Sequence, residues 1–121
     1  MVQALPVRDS VIQWVDVCAV SDIVPNTGVC AMVKEEQVAI FRVGNEAELY
    51  AISNYDPFSK AFVMSRGIVG DRNGIKKVAA PIYKQNFNLA TGECLDDETV
   101  KIATYSVRLT GDRVEVGINE S

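Results

Sequence analysis

Histidine is absent from this 121-residue chain. It is the side chain most often used as a general base near neutral pH, and it is the commonest protein ligand for transition metals. Its absence argues against most hydrolytic triads and against zinc sites that depend on imidazole. Catalytic sites and metal sites of these two classes are therefore not expected in this chain.

Cysteines, long apolar runs and an export signal are also scarce or missing. The three cysteines, Cys18, Cys30 and Cys94, are odd in number and widely spaced, which fits neither a disulfide framework nor a paired-thiolate metal site. We expect reduced thiols that pack as small apolar side chains. No apolar run approaches the roughly 20 residues of a spanning helix, and the opening MVQALPVRDS does not resemble a secretion signal. We expect a soluble cytoplasmic protein with no membrane partner.

Positive charge is in the minority. The chain has 12 Lys and Arg against 16 Asp and Glu, a formal net charge of −4. Proteins that bind nucleic acid draw much of their affinity from clustered Lys and Arg, so we expect no nucleic-acid partner. The length and the 48% hydrophobic content predict one domain over residues 1–121, with a core from about Trp14 to Ile118.

Short apolar runs separated by turn signals make up most of the sequence. The runs are rich in Val, Ile, Phe and Tyr, and no long helical period is present, which is typical of an antiparallel β protein. Near the C-terminus, a period of two predicts a hairpin with one buried face. Before the turn TGD, Ala103, Tyr105, Val107 and Leu109 alternate with Ile102, Thr104, Ser106 and Arg108, and after it Val114, Val116 and Ile118 alternate with Arg113, Glu115 and Gly117. Predicted strands cover Trp14 to Val20, Val29 to Val33, Gln37 to Val43, Leu49 to Ser53, Ile68 to Asp71 and Lys76 to Ala79. The last two are joined by RNG, Arg72 to Gly74, a turn signal of the Asn-Gly kind. The fold class is all-β, a small antiparallel sandwich or barrel.

Two segments between the strands look like long loops: NYDPFSKAF, Asn54 to Phe62, and AAPIYKQNFNLATGE, Ala79 to Glu93. With the order of strands and hairpins around them, they resemble the Rieske fold along nearly the whole chain. In that family, two loops at one tip hold a two-iron, two-sulfur cluster through Cys-x-His and Cys-x-x-His. The framework residues Pro57 and Pro81 and the run NFNLATGE match the family pattern.

The ligand positions of the resemblance are occupied by other residues. Asp56 and Phe58 stand where the first loop has Cys and His, and Ala80 and Tyr83 stand where the second loop has them. A methyl group and a benzene ring offer no lone pair, and hard oxygen donors suit Mg²⁺ or Ca²⁺ better than iron–sulfide. The resemblance thus implies a Rieske-like fold without iron–sulfur ligands and without a cofactor in this chain.

Among Rieske-like families, the small subunit of bacterial NAD(P)H-dependent nitrite reductase is similar in length and likewise lacks the ligands. The likeness rests on the start Trp14-x-x-Val17-Cys18 and on the segments YAISNxDPF and APIYKQNFNLxTGEC. It implies a cytoplasmic, non-catalytic subunit of an oxidoreductase of nitrate assimilation, inactive alone. Its partner would be a large subunit that carries FAD, an iron–sulfur cluster and sirohaem, takes electrons from NADH and reduces nitrite to ammonium. The small subunit would stabilise or gate that partner.

The loops without ligands suggest a docking surface. Aromatic side chains and Met are enriched at protein contacts. Met64 near the loops could take part in such a contact, and Arg66 and Gln85 could contribute to its polar rim. Phe58 and Tyr83 could instead pack inward to fill the volume of the missing cluster. The candidate docking residues are Tyr55, Phe58, Lys60, Phe62, Tyr83 and Lys84. Alternative functions are a stand-alone Rieske-type ferredoxin, which the missing ligands oppose, and a cofactor-free β-barrel interaction module.

Overall fold

The computed structural model describes residues 12–46 and 48–119, so both ends of the predicted single domain lie outside the described residues. The predicted all-β class is confirmed, because these residues contain strands and two short 3₁₀ turns but no α-helix. The strands are β1 Ile12–Ala19, β2 Thr27–Val33, β3 Glu36–Val43, β4 Glu48–Ser53, β5 Tyr55–Asp56, β6 Ala61–Phe62, β7 Ile68–Arg72, β8 Ile75–Ala79, β9 Asn86–Asn88, β10 Thr104–Thr110 and β11 Arg113–Asn119.

One large sheet carries most of the chain. Its six antiparallel strands are ordered β1-β11-β10-β4-β3-β2, and it curls until the edge strands β1 and β2 approach each other. A second sheet, β7-β8-β9, is formed by the hairpin between the two loops and by β9, which lies within the second loop. The pair β5-β6 lies within the first loop. Both loops therefore belong to a smaller layer outside the large sheet.

Strand β3 is buried on both faces and separates two cores. Val38 and Ile40 point into the barrel core, which they share with Ile23, Val33, Ala51, Val114 and Val116. Ala39 and Phe41 point the opposite way, into the loop-side core with Ile52, Met64, Val78, Ala80, Phe87, Leu89, Cys94 and Ile102. Because successive side chains of a strand alternate between faces, the unbroken apolar run Val38 to Phe41 supplies both cores.

The hairpin between the two loops turns where the sequence predicts it. Asn73 and Gly74 have φ values of 53° and 87°, the paired left-handed conformations of a tight hairpin turn. Asp71 reinforces the turn, since its Oδ1 accepts a hydrogen bond from the Gly74 N–H at 2.9 Å. Strands β7 and β8 pair in register from Ile68 with Ala79 to Arg72 with Ile75.

The closing hairpin departs from the predicted alternation at Ala103, Leu109 and Ile102. Ala103 and Leu109, expected on the buried face, are exposed; Leu109 is 41% exposed and lies close to the turn that closes the hairpin. Ile102, placed by the alternation on the opposite face, is buried in the loop-side core. It precedes β10, and its N–H donates to the Gly92 carbonyl at 2.9 Å, which draws it inward. Within the described part of the chain, no helix is long and apolar enough to cross a bilayer.

Candidate functional site at the tip of the two loops

The first loop is a small hairpin. Strand β5 pairs with β6, with Tyr55 opposite Phe62 and Asp56 opposite Ala61. The turn is closed by a 2.7 Å hydrogen bond from the Lys60 N–H to the Asp56 carbonyl. The rings of Tyr55 and Phe62 are 5.1 Å apart, and Phe62 is 55% exposed. Two aromatic side chains are thus paired at the base of this hairpin, away from its turn.

The side chain of Asp56 organises the turn from inside. It is fully buried. Its Oδ1 accepts a hydrogen bond from the Phe58 N–H at 2.9 Å, and its Oδ2 accepts one from the Ser59 hydroxyl at 2.8 Å. An aspartate that bonds backbone two residues on is a common local turn device. Both oxygens of Asp56 are therefore used by its own loop.

Phe58 and Ala80, which stand at two ligand positions in different loops, belong to one hydrophobic cluster. Ala80 is 1% exposed and Phe58 is half-buried against the same core. The Phe58 ring lies 6.1 Å from the ring of Phe87 in β9, at an interplanar angle of 54°. This tilted contact is a favourable arrangement for aromatic pairs. Hydrocarbon packing joins the two loops at the tip.

The second loop presents its side chains outward. The Ala80 N–H donates to the Gln85 carbonyl at 2.8 Å and closes the loop at its base. Tyr83 is 60% exposed and Ile82 is 50% exposed. Of the two orientations considered for Tyr83, the structure therefore has the outward one, whereas Phe58 points inward. Ile82 was missed by the sequence analysis, although its place between two ligand positions marks it as a loop-tip residue.

Each loop has an exposed lysine in the left-handed conformation. Lys60 has a φ of 60° and Lys84 a φ of 67°. Each follows the proline of its loop by three residues, in Pro57 to Lys60 and Pro81 to Lys84. Glycine is favoured in this region of φ, and a side chain there adds strain. Two loops of similar shape thus hold two cations at comparable places.

The buried side chain of Asn54, which the sequence analysis missed, supports the first loop. Asn54 is 2% exposed; its Nδ2 donates to Gln37 Oε1 at 3.0 Å, and its Oδ1 accepts from the Ser65 N–H at 2.7 Å. These bonds tie the start of the first loop to the large sheet. The only available signal was an asparagine at the start of the loop. The sequence alone does not show whether such an asparagine is buried or lies in an exposed turn.

Asp96 supports the second loop from the acidic segment that follows it. Its Oδ2 accepts hydrogen bonds from the Asn86 N–H at 2.7 Å and Nδ2 at 3.0 Å. Arg72 Nη1 lies 3.3 Å from Asp96 Oδ1. The hydrogen bond from the Asn86 backbone, followed by those from the Asn86 amide and Arg72, lowers the pKa of the Asp96 carboxyl from its ordinary value. This segment therefore anchors a loop.

Some expected roles are corrected by burial. Met64, considered near a docking surface, is fully buried in the loop-side core, because the 3₁₀ turn Met64–Arg66 directs it inward. The three cysteines are free. Cys94 is buried and Cys18 half-buried, but Cys30 is exposed in β2, where its thiol donates to Gln37 Oε1 at 3.6 Å. Cys30 is therefore not the packed apolar side chain that we expected.

The donor set at the four positions does not fit an iron–sulfur cluster. Asp56 has both oxygens committed within its loop, and Phe58 and Ala80 have no donor atom. Tyr83 offers one exposed phenol. In residues 12–46 and 48–119, no three His, Cys, Asp or Glu side chains converge as a metal site would require. What the tip offers is an aromatic and cationic surface.

Comparison with known proteins agrees with this architecture. Residues 13–117 match the model of the Rieske-like [2Fe-2S] domain family. The nitrite reductase (NADH) small subunit of Escherichia coli (strain K12) is 43% identical over 104 residues, 86% of this chain and 96% of that protein. The solution structure of the nitrite reductase [NAD(P)H] small subunit from Erwinia carotovora is 45% identical, with a TM-score of 0.77, covering 89% of this chain and 83% of that one. The nitrite reductase [NAD(P)H] large subunit of Klebsiella oxytoca has a segment 35% identical over 114 residues, 94% of this chain and 11% of that protein.

The curled antiparallel sheet with two loops joined at one tip defines a Rieske-like domain. Its ligand positions set it apart from domains that can bind a cluster through Cys and His. Within this class, the chain belongs to the family of nitrite reductase small subunits.

Proposed function

We propose that this chain is the non-catalytic small subunit of a cytoplasmic NAD(P)H-dependent nitrite reductase of nitrate assimilation, and that its loop tip docks on the large subunit and stabilises or gates it. One observation carries the proposal: the Rieske-like loops keep their framework, while the ligand positions hold a packed ring, a methyl group, an engaged carboxylate and an exposed phenol. FAD, the iron–sulfur cluster and sirohaem would belong to the large subunit.

A physical link between the two parts supports the partner assignment. The Klebsiella oxytoca protein named as a large subunit contains a stretch similar to nearly all of this chain. In that protein the Rieske-like segment and the rest of the enzyme share one polypeptide, so they are held together. A separate chain of the same family needs a noncovalent interface instead, and a stable one buries about 800 Å² on each partner.

The exposed tip residues form the centre of the proposed interface. Tyr83 and Ile82 in the second loop and Phe62 at the edge of the first present large exposed apolar area, and the same two loops contain the exposed Lys60 and Lys84. Interface cores are enriched in aromatic side chains and have polar rims. The ring of Tyr55 packs against the ring of Phe62, and Phe58 contributes mainly by packing the first loop against the loop-side core. The tip is smaller than a standard interface, so adjacent strand surfaces also take part.

Reconstitution tests the function. The isolated chain should reduce no nitrite, whereas its addition to the separately produced large subunit should raise NADH-dependent nitrite turnover or prolong the life of the activity. A variant with Tyr83→Ala and Ile82→Ala should retain its fold and lose most of this effect, because both side chains are exposed. A large subunit that is fully active and equally durable alone would contradict the accessory role.

Iron content distinguishes this function from that of a ferredoxin. A cofactor-free chain purified from cells supplied with iron should be colourless and contain no stoichiometric iron or sulfide. A brown protein with the visible absorption of an iron–sulfur cluster would favour the electron carrier, because a cluster is what a Rieske-type ferredoxin uses for electron transfer.

A further inference from the structure

Charge is strongly separated along this chain although its total is modest. Residues 57–92 contain six of the 12 Lys and Arg residues and one of the 16 Asp and Glu residues, a formal charge of +5. The remainder carries −9. We name residues 57–92 the basic lobe; it includes the turn of the first loop, the hairpin β7-β8 and the second loop. An acidic protein thus contains a cationic layer on one side of its large sheet.

The positive charge at the tip is not neutralised within the described chain. Arg72 at the far end of the lobe pairs with Asp96, and Arg108 and Arg113 outside the lobe pair with Glu115 and Asp16. In contrast, the exposed side chains of three cations contact no carboxylate among the described residues. These are Lys60, Arg66 and Lys84. The one carboxylate beside them, Asp56, is buried and bonded within its loop.

The same lobe contains most of the exposed large apolar side chains. Five of the eight such residues in the described chain lie in it: Phe62, Ile68, Ile75, Ile82 and Tyr83. Phe62 marks its boundary, since it lines a groove with Met32 and with Glu35 and Glu36 of the β2-β3 hairpin. Ile82 and Tyr83 directly precede the unneutralised Lys84 instead. The apolar centre of the cationic face is therefore in the second loop.

We infer that this tip recognises an acidic surface of the large subunit, with the loop cations Lys60 and Lys84 beside a contact made by Ile82 and Tyr83. The inference rests on the proposed function and adds the chemistry of the partner's surface. Complementary charge raises association rates about 10- to 1,000-fold when salt is low. The −9 remainder repels the same partner, so the charge separation also orients the domain with its tip forward.

A compact protein surface fits this face better than a long polyanion. At physiological ionic strength the Debye length is about 8 Å, so a partner confined to the tip is attracted, whereas a nucleic acid extending past it meets the acidic remainder. Exposed isoleucine also suits a protein contact, because bases are bound by stacking on aromatic or guanidinium planes. The partner is therefore an acidic protein patch with an apolar centre.

Association kinetics with the separately produced large subunit test the inference. The wild-type rate constant should fall at least about tenfold between roughly 50 mM and 500 mM NaCl. The double charge reversal Lys60→Glu with Lys84→Glu should slow association about tenfold or more at the lower salt. The matched control Lys101→Glu reverses an exposed cation outside the basic lobe and should change the rate less than about twofold. Circular dichroism spectra and unfolding midpoints of the variants that equal those of the wild type exclude unfolding as the cause of slower association.

The remaining outcomes separate this inference from the function on which it rests. If the wild type binds but neither salt nor the double reversal alters its rate, the acidic-surface inference is wrong and the subunit role stands. If the wild type does not bind the large subunit at all, both fail. Equal or tighter binding to heparin, double-stranded DNA or phosphatidylserine vesicles, abolished by the same reversals, would overturn the inference in favour of a polyanion.

Discussion

Asp56 shows how a ligand position can serve the fold alone. Asp56→Ala removes both acceptors and leaves the Phe58 N–H without its partner. We expect a loss of about 1–3 kcal/mol in the free energy of unfolding. Asp56→Asn keeps one oxygen and should lose less than the alanine variant. Urea unfolding measures both, and equal stability of the wild type and Asp56→Ala would show that the bonds contribute nothing.

Lys60 and Lys84, whose backbones have the left-handed conformation, are expected to lower the stability of the fold while they strengthen binding to the large subunit. Replacing Lys60 and Lys84 by glycine relieves conformational strain, partly offset by the greater freedom of the unfolded chain, for a net gain of about 0.5–1 kcal/mol per site. Binding to the large subunit should weaken. The matched control is Lys60→Ala with Lys84→Ala, which removes the charges and keeps a Cβ. If the glycine and alanine pairs are equally stable in thermal unfolding, the strain argument is wrong.

For single residues, the sequence shows the chemistry of a side chain but not whether that side chain points into the core or towards solvent. Asp-Pro-Phe-Ser predicts a turn, and the absence of thiolate and imidazole can be read directly from the four positions. The directions of Phe58 and Tyr83 cannot be read, because both are aromatic and lie in similar loops. Their burial depends on which has Phe87 within reach, and that contact exists only in the folded chain.

Among the elements, the turn after β9 depends on a glycine at which no side chain fits. Gly92 has a φ of +82°, and a Cβ there would lie 2.1 Å from the Ile102 carbonyl oxygen. Gly92→Ala should cost at least about 2 kcal/mol, through both clash and backbone strain. Gly111→Ala is the matched control, since Gly111 also has a positive φ but has no atom within 4 Å of the added Cβ. It should cost about 1–2 kcal/mol, and a similar loss at both sites in denaturant unfolding would contradict the packing argument.

The attachment of the acidic segment to β9 should depend on pH. The pKa of Asp96 is lowered in the folded chain, chiefly by the Asn86 backbone hydrogen bond. Its contribution to stability is therefore complete above the ordinary carboxyl pKa of 3.8 and is lost as the pH falls below that value. Asp96→Ala should lower the unfolding midpoint at pH 7 but not under strongly acidic conditions.

A second carboxylate controls for general charge effects on that comparison. Glu98 is exposed in the same segment, and Glu98→Ala should leave the midpoint nearly unchanged at neutral pH. A difference between wild type and Asp96→Ala that persists undiminished in strong acid would mean that Asp96 acts through something other than its charge.

Elements with a local signal were predicted best. The β7-β8 hairpin follows from Asn73 and Gly74, and β10 and β11 follow from their alternation. Strand β3 was predicted at Gln37 to Val43, close to its observed bounds, but its unbroken apolar run does not show which neighbours cover each face. The prediction for Ile102 was wrong for a different reason. The hydrogen bond from its N–H to the Gly92 carbonyl in the second loop, rather than its place in the alternation, decides the direction of its side chain.

For the whole molecule, the two cores are coupled through β3. Val38 and Ile40 belong to one core, and Ala39 and Phe41 to the other. The prediction of a single domain then requires one cooperative unfolding transition. Far-UV circular dichroism and the fluorescence of Trp14, the only tryptophan, should report the same midpoint in urea. Two separated transitions would mean that the loop layer unfolds independently of the barrel.

The packing of the tip opposes the introduction of cluster ligands one at a time. A thiol at Ala80 would enlarge a side chain in a filled core, an imidazole at Phe58 would put a polar ring against Phe87, and a thiol at Asp56 would unfasten a turn. Each single substitution of this kind is therefore expected to weaken the fold before a cluster could be held. Several ligands would have to be introduced together, so the hydrocarbon packing at the tip opposes the stepwise construction of a cluster site.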